Sequence, residues 1–171
     1  MQIVENHLHF FTATIYEWLP ALQFEETKRI VIDSLSFLVE NGRVKVSAFV
    51  IMDNHIHLIW QVLAGHEVHD VQRDFLKYTG QNIKFILRDQ QLALLEKLHV
   101  HLADRKYQIW QRNALQVPLF SNAVLVQKLD YIHQNPVRAG LCGMPEEYYF
   151  LSARFYIENK LEFDFLSHYD E

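Results

Sequence analysis

The sequence is poor in the residues that cross-link, punctuate or anchor a chain. It holds one cysteine, Cys142, so no internal disulfide can form, and a lone thiol fits a reducing compartment. Five glycines and four prolines, nowhere clustered, exclude a collagen-like repeat, a low-complexity tail and a recognisable linker. No apolar run approaches the roughly 18 residues that a membrane span requires. The first 23 residues carry Glu5, His7, His9 and Glu17 where a secretory leader would be basic and then apolar. A soluble, cytoplasmic protein is expected. Surplus positive charge is missing as well: 16 Lys and Arg against 21 Asp and Glu leave a net charge of −5, which alone argues against a nucleic-acid partner.

Apolar and aromatic residues are plentiful, at 50% and 13% of 171 positions. A chain of this length buries roughly 70% of its unfolded surface, enough for one core without metal or disulfide. One domain over 1–171 is therefore expected. Residues 4–15 alternate as a strand, with His7, His9 and Phe11 on one side and Leu8, Phe10 and Thr12 on the other. Over 24–40, Ile30, Val31, Ser34, Leu35, Leu38 and Val39 recur at helical spacing, and Asn41-Gly42 supplies the stop. Two apolar runs, 44–51 and 56–62, flank Asp53-Asn54, the turn chemistry of an antiparallel hairpin.

The apolar spacing over 68–88 predicts a long helix interrupted near Gly80, then a short helix over 90–98. Residues 99–110 read either as a strand or as irregular chain. Ser121 or Asn122 caps a helix running to about Gln134, where Asn135-Pro136 predicts its end because the residue before proline avoids the helical region. This order predicts an α+β fold. Its form is a ferredoxin-like or RRM-like antiparallel sheet with helices packed on one face and a C-terminal helix bearing Tyr131.

Three segments have the form His, apolar residue, His: His7-Leu8-His9, His55-Ile56-His57 and His99-Val100-His101. Random placement of the histidines would give about half of one such pair. On a strand the period of two points both imidazoles to one face and sends the middle residue into the core, which makes a two-nitrogen start on a metal site. Hydrogen-bonded surface histidines satisfy the same pattern, and His7, His9, His99 and His101 are read that way. His55 and His57 differ in setting, because they follow a turn between two buried-looking strands. On the last helix Gln127, Tyr131 and Asn135 lie at i, i+4 and i+8, with Lys128 beside Tyr131 and with Leu125, Leu129 and Ile132 opposite. A phenol, with a reference pKa of about 10, attacks poorly at neutral pH unless a cation stabilises the developing charge. A divalent ion on His55 and His57 would polarise a phosphate for such an attack.

Met52-Asp53-Asn54-His55-Ile56-His57-Leu58-Ile59 resembles the HUH strand of the single-tyrosine transposases, in particular the REP-associated tyrosine transposases and their insertion-sequence relatives. Asp130-Tyr131-Ile132-His133-Gln134-Asn135-Pro136-Val137-Arg138-Ala139-Gly140-Leu141 is similar to the tyrosine helix of that family. Residues 148–156, with Ser152-Ala153-Arg154, resemble its aromatic closing segment. The resemblance spans 44–156. It implies cleavage of single-stranded DNA with hairpin-forming ends by Tyr131, giving a 5′-phosphotyrosine link and a free 3′-OH that later rejoins strands. It also implies His55 and His57 as metal ligands, with Asn135, one turn beyond the tyrosine, as the third; satisfying helix-end carbonyls is an equal alternative for Asn135. One amide ligand and a bridging phosphate suit Mg²⁺ or Mn²⁺. The family includes monomers and homodimers that exchange the tyrosine helix, and both assemblies stay open.

Further basic residues are candidates for DNA contact. Arg105, Lys106 and Arg112 interleave with Tyr107 and Trp110; Lys77, Lys84 and Arg88 share a helix; Arg138 lies in the matched block, where fixing the turn through an ion pair is an equal reading. A solvated charged face explains the first two groups equally well. Asp53 stands where relatives often have proline and adds negative charge beside the histidines. A non-cleaving, domesticated binder of single-stranded nucleic acid and a zinc-stabilised interaction module are the rival readings.

Overall fold

A computed structural model describes residues 7–171, so positions 4–6 of the expected first strand lie outside it. Four strands, Leu8–Thr14 (β1), Val44–Ile51 (β2), His55–Val62 (β3) and Leu115–Pro118 (β4), form one antiparallel sheet in the order β2-β3-β1-β4. β2 and β3 make the hairpin around Asp53-Asn54, and the crossover from β1 through helix Glu25–Glu40 (α1) leaves the central place for β3. With helix Val68–Gln90 (α2) leading on toward β4, the connectivity is the split β-α-β of the ferredoxin-like fold. The fold class is the expected α+β.

Alternation decides what each face carries. Ile56, Leu58, Trp60 and Val62 of β3, with Phe11 and Ala13 of β1, meet Val31 and Leu35 of α1 and Val71, Phe75 and Ile83 of α2 in the larger core. The opposite face, with Phe10, Ala48, Val50 and Ile59, is covered by Leu125 and Ile132 of helix Asn122–Arg138 (α4). β2 serves both cores because its register against β3 skips one residue between Val46 and Ala48. That bulge at Ser47 turns Phe49 and Ile51 to the side of Val44 and Val46, where an unbroken strand would turn them away.

The outer edge of β2 is sealed by the chain's last segment. The Ile51 N–H donates to Phe150 O, the Ser152 N–H to Phe49 O, and the Ser167 N–H to Val46 O; the hydroxyls of Tyr148 and Tyr156 donate to Ile51 O and Ser47 O. Covering these groups removes a pairing edge that would otherwise recruit other strands. A short helix, Ala153–Ile157 (α5), lies within this segment. No helix among the described residues is long and apolar enough to cross a membrane.

Two sequence expectations need correction, and the alternative left open for 99–110 is decided. α2 is unbroken at Gly80, where the Trp110 ring packs against the helix: an added Cβ would sit 3.4 Å from Trp110 Cδ1, at the near limit of ordinary contact. The fourth strand is β4, whereas 99–110 is irregular, with isolated bridges His99 to Tyr107 and Ile15 to Trp110, after a short helix Leu92–Lys97 (α3). β4 gave little signal because it has four residues and exposes Leu115 and Val117. α4 runs through Pro136 to Arg138. Proline removes one helical donor, to the Ile132 carbonyl, but Ile132, His133 and Pro136 are all buried, so tertiary packing holds the helix past that point.

The Trp110 indole N–H donates to Thr79 Oγ1 at 3.0 Å in the buried seam between α2 and the 105–114 segment. Thr79→Val keeps the shape and leaves that N–H without an acceptor, a loss of about 1–3 kcal/mol. Urea unfolding is expected to show a lower midpoint at unchanged slope; an unchanged midpoint would mean that the bond adds nothing.

Candidate active site

The period of two along β3 places His55 and His57 side by side on the sheet face that α4 covers, with ring centroids 4.8 Å apart. His57 lies under Phe10, stacked at 5.3 Å, and its Nδ1 is 2.7 Å from Thr12 Oγ1, the residue directly across on β1. His55 Nδ1 is 2.8 Å from Asn54 Oδ1. Each imidazole thus has its Nδ1 engaged by a neighbour. A Nδ1–H donated there fixes the tautomer that carries its lone pair on Nε2, the atom able to ligate a cation.

Burial makes both rings poor proton acceptors. His57, only 5% exposed, is pushed down to about 3, first by burial, then by the neighbouring His55 ring and by the cations Lys128 and Arg138. His55 is lowered by burial, opposed by a hydrogen bond with the Asn135 side chain. Asn135 therefore reaches the histidine pair from α4. No three-member group of His, Cys, Asp or Glu able to hold a metal occurs among the described residues, so the amide is the third polar donor at this place. Two neutral imidazoles and one side-chain amide form an uncharged donor set. Such a set fits a divalent cation whose charge is completed by a phosphate.

Tyr131 stands over the pair from α4. Its ring meets His57 edge-on at 5.2 Å and Phe10 at 6.0 Å, and the residue stays 40% exposed. Two cations flank it: the Arg138 guanidinium lies 4.6 Å from the ring centroid and donates to Tyr131 O at 2.7 Å, and Lys128 Nζ lies 5.8 Å away. Tyr131, His55, His57, Asn135, Lys128 and Arg138 of one chain converge here. The negative charge of Asp53 is balanced by the nearly buried Lys28, with Nζ 3.1 Å from Oδ1.

The other basic candidates lie elsewhere. Lys77, Lys84, Arg105 and Arg112 line one open groove of about 750 Å³ between α2 and residues 105–114, on the side of the sheet away from the histidines. Lys106 borders a separate depression with His99 and His101. Arg88 packs against Phe85 on α2. Sequence reasoning passed over Phe10, Thr12 and Asn54, which orient the two imidazoles. The β1 alternation had already grouped Phe10 with Thr12, so the pairing register was the one missing piece.

His133, two residues beyond Tyr131, points away from the pair. Its Nε2 is 2.9 Å from Ser152 Oγ, and burial pushes it down to about 4. His57 and His133 are therefore neutral in the fold, while the unfolded chain takes up protons near the ordinary 6.5. Their contribution is fully present above about pH 6.5 and is lost as pH falls toward the folded values, at up to about 1.4 kcal/mol per pH unit each. Urea titrations between about pH 6 and 4 are expected to show this slope, roughly halved by His133→Asn. A flat profile would mean that both rings protonate normally in the fold.

No family model and no curated protein matches the chain. Among solved structures, a REP-associated tyrosine transposase bound to a REP hairpin superposes with TM-score 0.67 at 15% identity, over 98% of this chain and 86% of its own. A crystal structure from Deinococcus radiodurans R1, described as a transposase, superposes with TM-score 0.50 at 12% identity, over 77% of this chain and 93% of its own. The chain thus has the fold of a REP-associated tyrosine transposase along nearly its whole length.

Proposed function

We propose that this protein is a DNA transposase or related strand-transfer nuclease that cuts and rejoins single-stranded DNA through Tyr131. The observation that carries the reading is the 5.2 Å approach of the Tyr131 ring to His57, beside His55 and Asn135, within one chain. The full-length likeness to a transposase bound to a DNA hairpin supports it.

His55, His57 and Asn135 would hold Mg²⁺ or Mn²⁺. Bound there, the ion supplies Lewis-acid polarisation of the scissile phosphate. Tyr131 Oη attacks phosphorus and loses its proton as the new O–P bond forms. The bond from phosphorus to the 3′ oxygen breaks, and that oxygen takes up a proton to become a free 3′-OH. The 5′ phosphate stays on Tyr131 as a diester, so the later attack by a 3′-OH needs no nucleotide cofactor. Arg138 and Lys128 place positive charge against the Tyr131 ring, where it would favour an approaching phosphate and the developing negative charge. The neutral, oriented imidazoles need no deprotonation before they bind a cation.

The groove on the far side suits the duplex part of a hairpin-ended substrate. Lys77 and Lys84 make no salt bridge among the described residues, so both cations are available to backbone phosphates. A local patch of this kind reconciles DNA binding with an acidic whole.

Incubation with hairpin-bearing single-stranded oligonucleotides and Mn²⁺ is expected to give a denaturation-resistant protein-DNA adduct. Tyr131→Phe abolishes it without lowering the melting temperature, and His55→Ala slows it by about 10–100-fold. DNA binding with no adduct in the unaltered protein would instead favour the non-cleaving reading. Replacing Lys77 and Lys84 with Ala is expected to reduce the slope of log affinity against log salt by about 2. An unaltered slope would remove the groove from the DNA path.

A further inference from the structure

The turn after β1 carries an exposed aromatic ring where burial would be normal. Trp18 is 65% exposed, whereas Trp60 and Trp110 are 0% and 8% exposed. Glu17 and Trp18 both adopt φ of 57°, a left-handed conformation that is uncommon for residues other than glycine and rare for bulky ones. This turn is held from both sides. The Trp18 N–H donates to Ile15 O at 2.9 Å, Asn54 Nδ2 donates to Trp18 O, and the Ile15 N–H donates to Asn54 O. Asn54 is the same residue that engages His55 Nδ1. The strained turn and the histidine strand are therefore one unit, and it sets the indole edge-on to His55 with centroids 6.2 Å apart.

We propose that Trp18 is a stacking platform for one nucleobase of the single strand, the base next to the phosphate at Tyr131. Resting on the function proposed above, this assigns a base-binding position to that site. An indole aimed into water one ring away from a phosphate-handling histidine has no packing role to explain its backbone conformation. A flat π-face is what an unpaired base needs, whatever its identity. The occupant follows from the neighbours. Arg138 and Lys128 lie beside Tyr131 to draw in phosphate, and Trp18 closes the histidine pair on the His55 side, which leaves its face to the base attached to that phosphate.

The test is a titration with an oligothymidylate of about twenty nucleotides, read by tryptophan fluorescence and by anisotropy of a labelled strand. Because Trp110 lines the groove behind the sheet, the part of the fluorescence change that W18F removes reports Trp18. Quenching is expected on binding, and W18F is expected to lose it while keeping affinity within about threefold. W18A and W18G are expected to weaken binding by about tenfold or more. Glycine accepts the positive φ, so W18G is expected to melt no lower than the unaltered protein, a readout that a structural role would move. No quenching, together with unchanged W18A affinity, overturns the platform even if the Tyr131 adduct forms. Quenching and lost affinity without an adduct sustain the platform and reject the cleavage reading.

Discussion

The two-residue period of β3 is the constraint from which the site follows. Ile56, Leu58, Trp60 and Val62 must face α1 and α2 to complete the larger core, so His55 and His57 must face the other way. A slip of one position would drive both imidazoles into the larger core and take four apolar residues out of it. The hydrophobic effect therefore fixes the direction of the histidines more firmly than any contact they make themselves. β1 adds the second condition, because its antiparallel register sets Thr12 opposite His57 and stacks Phe10 against the ring.

α4 closes the arrangement from the other side. Leu125 and Ile132 seat it on the sheet, and the His133–Ser152 contact ties it to the segment that seals β2. Tyr131 lies on the flank of the same helix, one turn before Asn135, so seating the apolar stripe brings phenol and amide to the histidines together. The electrostatic character is local. The chain is acidic as a whole, yet Arg138 and Lys128 both lie against the Tyr131 ring, and Asp53 is balanced by Lys28. Burial keeps the imidazoles neutral, so cation affinity would not be lost to protons near neutral pH.

Much of this was legible in the residues. The β2–β3 hairpin announced itself through apolar runs on either side of Asp53-Asn54, and α1 through its spacing and its Asn41-Gly42 stop, because both signals are local. The elements misjudged are those fixed by distant partners. Gly80 looks like a helix break until Trp110 is known to lie against it. Pro136 looks like a helix end until its burial is known, and β4 is too short and too exposed to show alternation. For the site, residue patterns singled out His55, His57 and Tyr131, and Asn135 entered as a ligand through the family resemblance. They did not separate the cations at Tyr131 from those in the groove behind the sheet, since one-dimensional spacing carries no information about which face of a sheet a helix covers. Trp18 escaped notice for a related reason: its position depends on a turn whose left-handed residues are not glycines.

The central claim is that Tyr131 is the group that takes the phosphate, and the most direct measurement is the chemical identity of the residue joined to DNA. Digestion of trapped protein-DNA complexes, followed by mass spectrometry of the nucleotide-bearing peptide, is predicted to find the 5′ phosphate on Tyr131 alone. Attachment at another tyrosine, such as Tyr148 or Tyr149, or at a serine, would contradict the account.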